Sequence, residues 1–189
     1  MSDSSRNFIT RNLRGKFGDQ VVFREQNEHS VMANVQGKRK GGATGGQIAE
    51  CNRFTQASRW AIKTIADPDE YAFYVSKAKK KMNAYNTAMT DFLNPPKVTA
   101  IDVSRSSGNP GEEIVVTASD DFCIKQVMFE IHAPSGDVLE QGPCRPDERG
   151  FIWAYTTTTA ISAVPGITVR AIATDKPGHK GELTVPWKA

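Results

Sequence analysis

Asn94-Pro95-Pro96-Lys97 is the stretch at which this chain changes its periodicity. Residues 46–93 before it carry apolar side chains at helical spacing. Residues 98–187 after it alternate apolar and polar in short runs separated by turn residues. A proline fixes φ, lacks an amide proton and drives the residue before it out of the helical region, so two in succession end a helix and stiffen the joint. The expectation is an α+β chain of two modules, residues 1–94 with a β-hairpin and helices and residues 95–189 all-β.

On the N-terminal side of the joint, Asp67 reads as a helix N-cap, with Pro68 at the first helical position and Glu70 two residues later. From there Tyr71, Val75, Ala78, Met82, Tyr85, Met89 and Phe92 follow at alternating intervals of four and three, a heptad seam that predicts one continuous helix. Upstream, Thr44-Gly45-Gly46-Gln47 fits a capping box. It opens a helix over about 46–65 whose expected buried stripe is Ile48, Cys51, Phe54, Ser58, Ala61, Ile62 and Ile65. The short turn at Ala66-Asp67 folds the two into an antiparallel helical hairpin. Earlier still, β-rich runs at 20–24 and 30–35 flank a polar turn and predict a β-hairpin, preceded by an extended arm over 1–18.

On the other side, seven strands are expected at 98–103, 113–118, 125–131, 137–140, 151–157, 167–174 and 181–186. Turns fall at Gly108-Asn109-Pro110-Gly111, Pro134-Ser135-Gly136, Pro165-Gly166 and Lys176-Pro177-Gly178. Seven short strands with Trp153 as a core aromatic predict an immunoglobulin-like sandwich.

With 39% hydrophobic and 24% charged residues, the chain has the composition of an ordinary globular protein. Its apolar runs are too short to span a membrane. Met1-Ser2-Asp3-Ser4-Ser5-Arg6 lacks the apolar core of a secretory signal, so the reading is cytoplasmic as synthesised, with release inside an extracellular assembly also compatible. Charge is divided unevenly. Residues 1–95 hold 15 Lys/Arg against 9 Asp/Glu, net +6, and residues 96–189 hold 9 against 12, net −3. Opposite halves on one chain favour head-to-tail contact between copies; scatter over two solvated surfaces is the plainer alternative.

Cys51, Cys123 and Cys144 are too few and too irregularly spaced for a disulfide framework or a zinc site. Cys51 is expected in the core. Cys123 and Cys144 would fall nearly opposite each other if 124–131 and 137–142 form a hairpin about Pro134-Ser135, so a disulfide between them is one expectation. His29, His132 and His179 show no metal-ligand spacing, and no nucleophile elbow, P-loop or dinucleotide fingerprint is present. No enzyme activity and no cofactor are expected. Asp120, Asp121 and Asp175 would lie at one end of a sandwich and could offer hard oxygen ligands to calcium; the competing and favoured reading is that aspartates there cap their own turns. Lys38, Arg39, Lys40, Lys77, Lys80 and Lys81 make a basic patch. No recognition helix or interleaved aromatic accompanies it, which argues for solvated lysines over a nucleic-acid surface.

Two segments carry a resemblance. Ala118-Ser119-Asp120-Asp121, Val127, Ser135 to Gly142, Trp153-Ala154-Tyr155 and Ala171 to Asp175 resemble bacterial immunoglobulin-like domains. The whole chain resembles a family of uncharacterised Bacteroidetes proteins that pairs a glycine-rich β segment, here Gly15-Lys16-Phe17-Gly18-Asp19, with a segment like Ala84 to Phe92. The resemblance implies the fold and carries no activity with it.

The sequence therefore points to a non-enzymatic structural protein that self-assembles into a homo-oligomeric particle, tube or fibre. The expected contacts are Phe17, Val21, Phe23, Val31, Tyr71, Val75, Met82, Tyr85, Met89 and Phe92, because an arm, an isolated hairpin and a two-helix seam lack enough partner surface of their own. The alternatives are a monomeric glycan- or protein-binding module acting through the sandwich loops, and a nucleic-acid-associated protein.

Overall fold

A computed structural model describes residues 2–3, 13–26, 29–37, 41–79, 82–161 and 165–187. The chain divides into two compact units, residues 1–50 and 51–189. Among the described residues no helix is long and apolar enough to cross a membrane.

The first unit holds an antiparallel four-stranded sheet: β1 (Ser2–Asp3), β4 (His29–Asn34), β3 (Val21–Gln26) and β2 (Gly15–Phe17), in that spatial order. The expected hairpin is β3–β4, in register Val22↔Ala33. Residues 15–17, expected as part of an extended arm, instead pair with β3 as Lys16↔Val22. The tight turn at Gly18-Asp19-Gln20, with Gly18 at φ 60, folds them back onto it.

Helix α1 (Gly45–Thr64) starts on the expected capping box. The Gln47 amide donates to Thr44 Oγ1 at 3.4 Å, and the Gln47 side chain accepts from the Thr44 amide at 3.0 Å. Helix α2 (Pro68–Lys77) starts as read, with Asp67 Oδ1 accepting from the Asp69 and Glu70 amides at 2.8 and 3.3 Å. Asp67→Ala should cost about 1 kcal/mol, read as a lower urea midpoint at unchanged slope.

The continuous second helix is corrected. It stops at Lys77, where Ala78 turns extended (φ −63, ψ 123), and a third helix, α3 (Ala84–Leu93), begins after Asn83. Asn83 accepts from the Asn86 amide at 2.8 Å and so restarts the helix as an N-cap. The heptad seam crosses the run Lys77 to Lys81, where like charges oppose helix continuation. Buried faces shift accordingly. In α2, Tyr74 is buried in place of Tyr71 and Val75, and in α3 the buried line is Ala84, Thr87, Ala88 and Asp91. Ala57, Ala61, Tyr74, Ala84, Ala88 and Met89 form the helical core, with Trp60 against Tyr74 and Phe92 at ring-centroid separations of 6.1 and 5.6 Å. Of the stripe expected on α1 only Ala61 is buried, with Ser58 and Ile65 half-buried and Ile48, Cys51, Phe54 and Ile62 exposed; Ala57, outside that stripe, is buried instead.

The β body has two antiparallel sheets around one core. One runs β5 (Lys97–Asp102), β6 (Glu113–Ser119), β10 (Ile152–Thr156), β9 (Arg145–Pro146). The other runs β12 (Lys180–Pro186), β11 (Thr168–Asp175), β7 (Ile124–His132), β8 (Val138–Pro143). All seven expected strands are present, with β9 added. Burial alternates strictly along β6 and β11, as strands with one covered face require. Ile114, Val116, Val127, Phe129, Ile131 and Val169 are fully enclosed, each contributing roughly 1.5–3 kcal/mol. Phe129 stacks on Tyr155 across the core at 4.8 Å. At the double-proline joint, β12 passes so close that a Cβ on Gly181 would lie 1.9 Å from the Pro96 carbonyl oxygen.

One buried charge is fully served. Glu140 on β8 accepts from Tyr155 OH (2.7 Å) and from the amides and hydroxyls of Thr158 and Thr159. Burial pushes its carboxyl up, but the hydrogen bonds from Thr159, Tyr155 and Thr158 prevail and hold it at about 2, against an ordinary 4.5.

The expected disulfide is corrected too. Cys123 is exposed, Cys144 is buried, and both are free. The Cys144 amide donates to the Val127 carbonyl, which leaves Cys123 four residues further along, roughly 13 Å at the rise of a strand. Two Cα atoms more than about 7 Å apart cannot be bridged.

Candidate functional site

Two features of residues 51–189 stand out from the packing. The first is where α2 and α3 meet the β6–β7 and β11–β12 turns. Asp91 occupies the buried line of α3 because it falls seven residues after Ala84 and three after Ala88, two turns and one turn along the same face. Its Oδ2 accepts from Tyr74 OH at 2.5 Å. Asp120, after β6, uses Oδ1 to accept from the Phe122 and Cys123 amides at 2.7 and 2.9 Å. Asp175, at the end of β11, uses Oδ1 to accept from the Gly178 and His179 amides at 2.7 and 2.6 Å. Both aspartates thus cap their own turns. Asp91 and Asp175 are 0% exposed.

Four side-chain atoms in the described residues are buried without a hydrogen-bond partner, and all four belong to this junction: Asp91 Oδ1, Asp120 Oδ2, Asp175 Oδ2 and His179 Nδ1. His179 Nδ1 lies 3.4 Å from Asp175 Oδ2, and its ring meets Phe92 edge-on at 4.5 Å. Lys176 pairs with Glu70 and sits 4.2 Å from the Phe73 ring centroid and 5.7 Å from that of Tyr74. Burial raises Asp91 to about 7. The charges of Asp120 and Asp175 push the same way, while the Tyr74 hydrogen bond and Lys176 push down. Burial also raises Asp120, against its two turn amides, and raises the Tyr74 hydroxyl beside Asp91.

Of the three calcium candidates, Asp120 and Asp175 belong to this junction, and exposed Asp121 accepts from Asn94 Nδ2 at 3.1 Å. Among the described residues no set of three or more His, Cys, Asp or Glu is arranged to hold a metal ion. Beside the junction lies an open cleft of about 530 Å³, lined by both charge signs from Arg53, Lys97, Asp120 and Asp121.

The second feature is the apolar surface left on the helices. Phe54 is 57% exposed, Ile62 58%, Tyr71 51% and Val75 49%. On α1, Phe54 and Ile62 continue around the helix from buried Ala57 and Ala61, so the helix carries more apolar face than its own fold covers. The other contact candidates divide. In the first unit Phe17 is exposed, whereas Phe23 and Val31 are buried; Val21 is half-buried. Met89 is buried in the helical core. Tyr85 and Phe92 pack on that core half-buried, Tyr85 with its hydroxyl on Ser58 at 2.8 Å, and Met82 is half-buried. Of the basic patch, Lys77 is exposed with its Nζ 5.9 Å from the Phe73 ring centroid. Lys38, Arg39, Lys40, Lys80 and Lys81 lie outside the described residues.

Reading the sequence missed Asp91, Tyr74, His179 and the Lys176–Glu70 pair. One signal for Asp91 was present: a charged residue on the 84, 87, 88, 91 line of small side chains. Tyr74 lies 17 residues back on α2, and the other neighbours come from turns distant in sequence, which no local pattern joins.

No family model matches the chain, and no curated protein matches it. A crystal structure of an engineered protein aligns with a TM-score of 0.32 at 16% identity, over 48% of this chain. The aligned part spans 19% of that engineered chain, and a likeness of this size carries no argument.

Proposed function

We propose that this chain is a non-enzymatic structural protein that self-assembles, using the exposed helical face as the contact between copies and an immunoglobulin-like β body as the displayed part. The reading rests on one observation: Phe54, Ile62, Tyr71 and Val75 each leave about half or more of their surface in water. Phe54 and Ile62 are grouped along α1, and Tyr71 and Val75 lie one turn apart on α2; grouped apolar surface marks a contact, whereas single exposed apolar residues do not. A second copy is the occupant we favour because the two halves of the chain, +6 and −3, complement each other. The first-unit sheet also ends in the short strands β1 and β2, whose outer edges can pair with further strands.

The test is the solution mass of the full chain and of the double variant Phe54→Glu/Ile62→Glu. Wild type should scatter as a particle several times its 20.7 kDa chain mass at roughly 100 µM, and the variant as a monomer. A wild-type monomer at that concentration overturns the reading, as does an unchanged particle in the variant.

A further inference from the structure

The junction of α2 and α3 with the β body is short of protons. Three of its four orphan atoms, Asp91 Oδ1, Asp120 Oδ2 and Asp175 Oδ2, are acceptors, and the fourth is an imidazole nitrogen. Buried polar groups are almost always hydrogen-bonded, and an unmet one costs about 1–3 kcal/mol. Four unmet atoms in one place, on three separate elements, are therefore a feature with a cause. A carboxylate can only accept, whereas a carboxylic acid can also donate.

We propose that this junction is a proton-operated clasp: α2 and α3 close on the β6–β7 and β11–β12 turns when Asp91 carries a proton, and ease away when it is ionised. A proton on Asp91 Oδ1 removes one buried negative charge from the cluster and turns an unmet acceptor into a donor. An ionised Asp91 is instead a third carboxylate beside Asp120 and Asp175, out of water, where like charges repel strongly.

Helix α1, packed on α3, brings Arg53, which donates to the Leu93 carbonyl and lines the cleft beside Asp120 and Asp121. Helix α2 supplies Tyr74, a neutral hydrogen-bond donor, and Glu70, which is held by Lys176. The β6–β7 turn supplies Asp120 and Asp121, the second of them turned to Asn94. The end of β11 and its turn supply Asp175, Lys176 and His179. Lys176 is the cation nearest in effect, and it is already shared with Glu70 and the Phe73 ring. His179 faces Asp175 across the turn, with Nδ1 3.4 Å from Oδ2.

The direction of the pH effect follows. Asp91 stands at about 7 in the closed junction against an ordinary 3.8. A group raised on closing contributes its full stabilisation below its open-state value and loses it as pH climbs to the closed-state value. The clasp is therefore tightest near pH 4, weakens up to about 7 and is level above. None of this depends on self-assembly.

Hydrogen exchange of the full-length chain between pH 4.5 and 8, corrected for the intrinsic rate, tests the clasp. In wild type, protection of the α3 amides should fall by more than about tenfold between pH 5 and 7 and then level off, while β7 amides hold steady. Asp91→Asn should abolish that fall. Asp120→Asn, whose amide oxygen still accepts the two turn amides, should shrink the fall and end it at lower pH. Protection of α3 that is flat with pH in wild type overturns the proposal. So does a fall that persists unaltered in Asp120→Asn, which decides the matter even if Asp91→Asn does not fold.

Discussion

Gly181→Ala is expected to destabilise the 51–189 unit by about 3–5 kcal/mol, in the range reserved for changes that force backbone apart. The residue sits in β12 where that strand crosses the double-proline joint, and its added Cβ would lie 1.9 Å from the Pro96 carbonyl oxygen and 2.7 Å from its carbon. Flexible side chains can yield to such a contact, but here the neighbour is backbone, stiffened by two consecutive prolines. Relief requires β12 to slide from β11, with which it keeps the register Ala173↔Gly181. A melting temperature lower by roughly 10 °C, followed by far-ultraviolet circular dichroism, is the expected reading. A shift under about 2 °C would show that the joint yields and that the close approach is not a constraint.

Glu140→Ala should cost a similar amount for a different reason. The five donors that Glu140 accepts would be left facing an alanine: the Tyr155 hydroxyl and the amides and hydroxyls of Thr158 and Thr159. Removing the charged partner of a buried network costs more than the network itself contributes, on the order of 3–5 kcal/mol. The effect depends on pH. Glu140 stands at about 2 in the folded chain against an ordinary 4.5. A group lowered on folding contributes stability that is present above its unfolded value and is lost as pH falls through its folded value. Wild type should therefore lose about 3 kcal/mol between pH 4.5 and 2 from this residue. In Glu140→Ala that part of the acid dependence should vanish, which urea titrations at several pH values would detect.

These two residues show what a sequence makes legible here. The strands of the β body could be read almost to the residue because alternation and turn glycines are local: β6 as Glu113–Ser119 and β11 as Thr168–Asp175 need no knowledge of their partners. The helix start at Asp67-Pro68 was equally local. The break after Lys77 was not seen, because the heptad spacing of Tyr71 to Phe92 continues across it while the backbone does not. The backbone leaves the helix at Ala78 and restarts on the Asn83 N-cap, and the core that forms uses Tyr74, Ala84 and Ala88 in place of the heptad line. Of the acidic junction, the turn-capping roles of Asp120 and Asp175 were readable. Their meeting with Asp91 was not, since it depends on how a helix docks on two turns distant in sequence. Glu140 and Gly181 gave no signal for the same reason. What each touches lies outside its own element: Tyr155, Thr158 and Thr159 for Glu140, and Pro96 for Gly181.

The order of these pieces along the chain has a consequence for synthesis. Helices α2 and α3 leave the ribosome well before the turn that carries Asp175 and His179, and at about 10 residues per second the delay is of the order of ten seconds. Over that interval Asp91 and Tyr74 have no turn to close on, and the strands that must assemble the second sheet are still being made. Strand pairs as distant in sequence as β7–β11 form slowly compared with helices. The nascent helices thus wait in a half-finished state with their apolar residues bare, and it is in this window, more than in the finished fold, that exposed apolar surface favours aggregation.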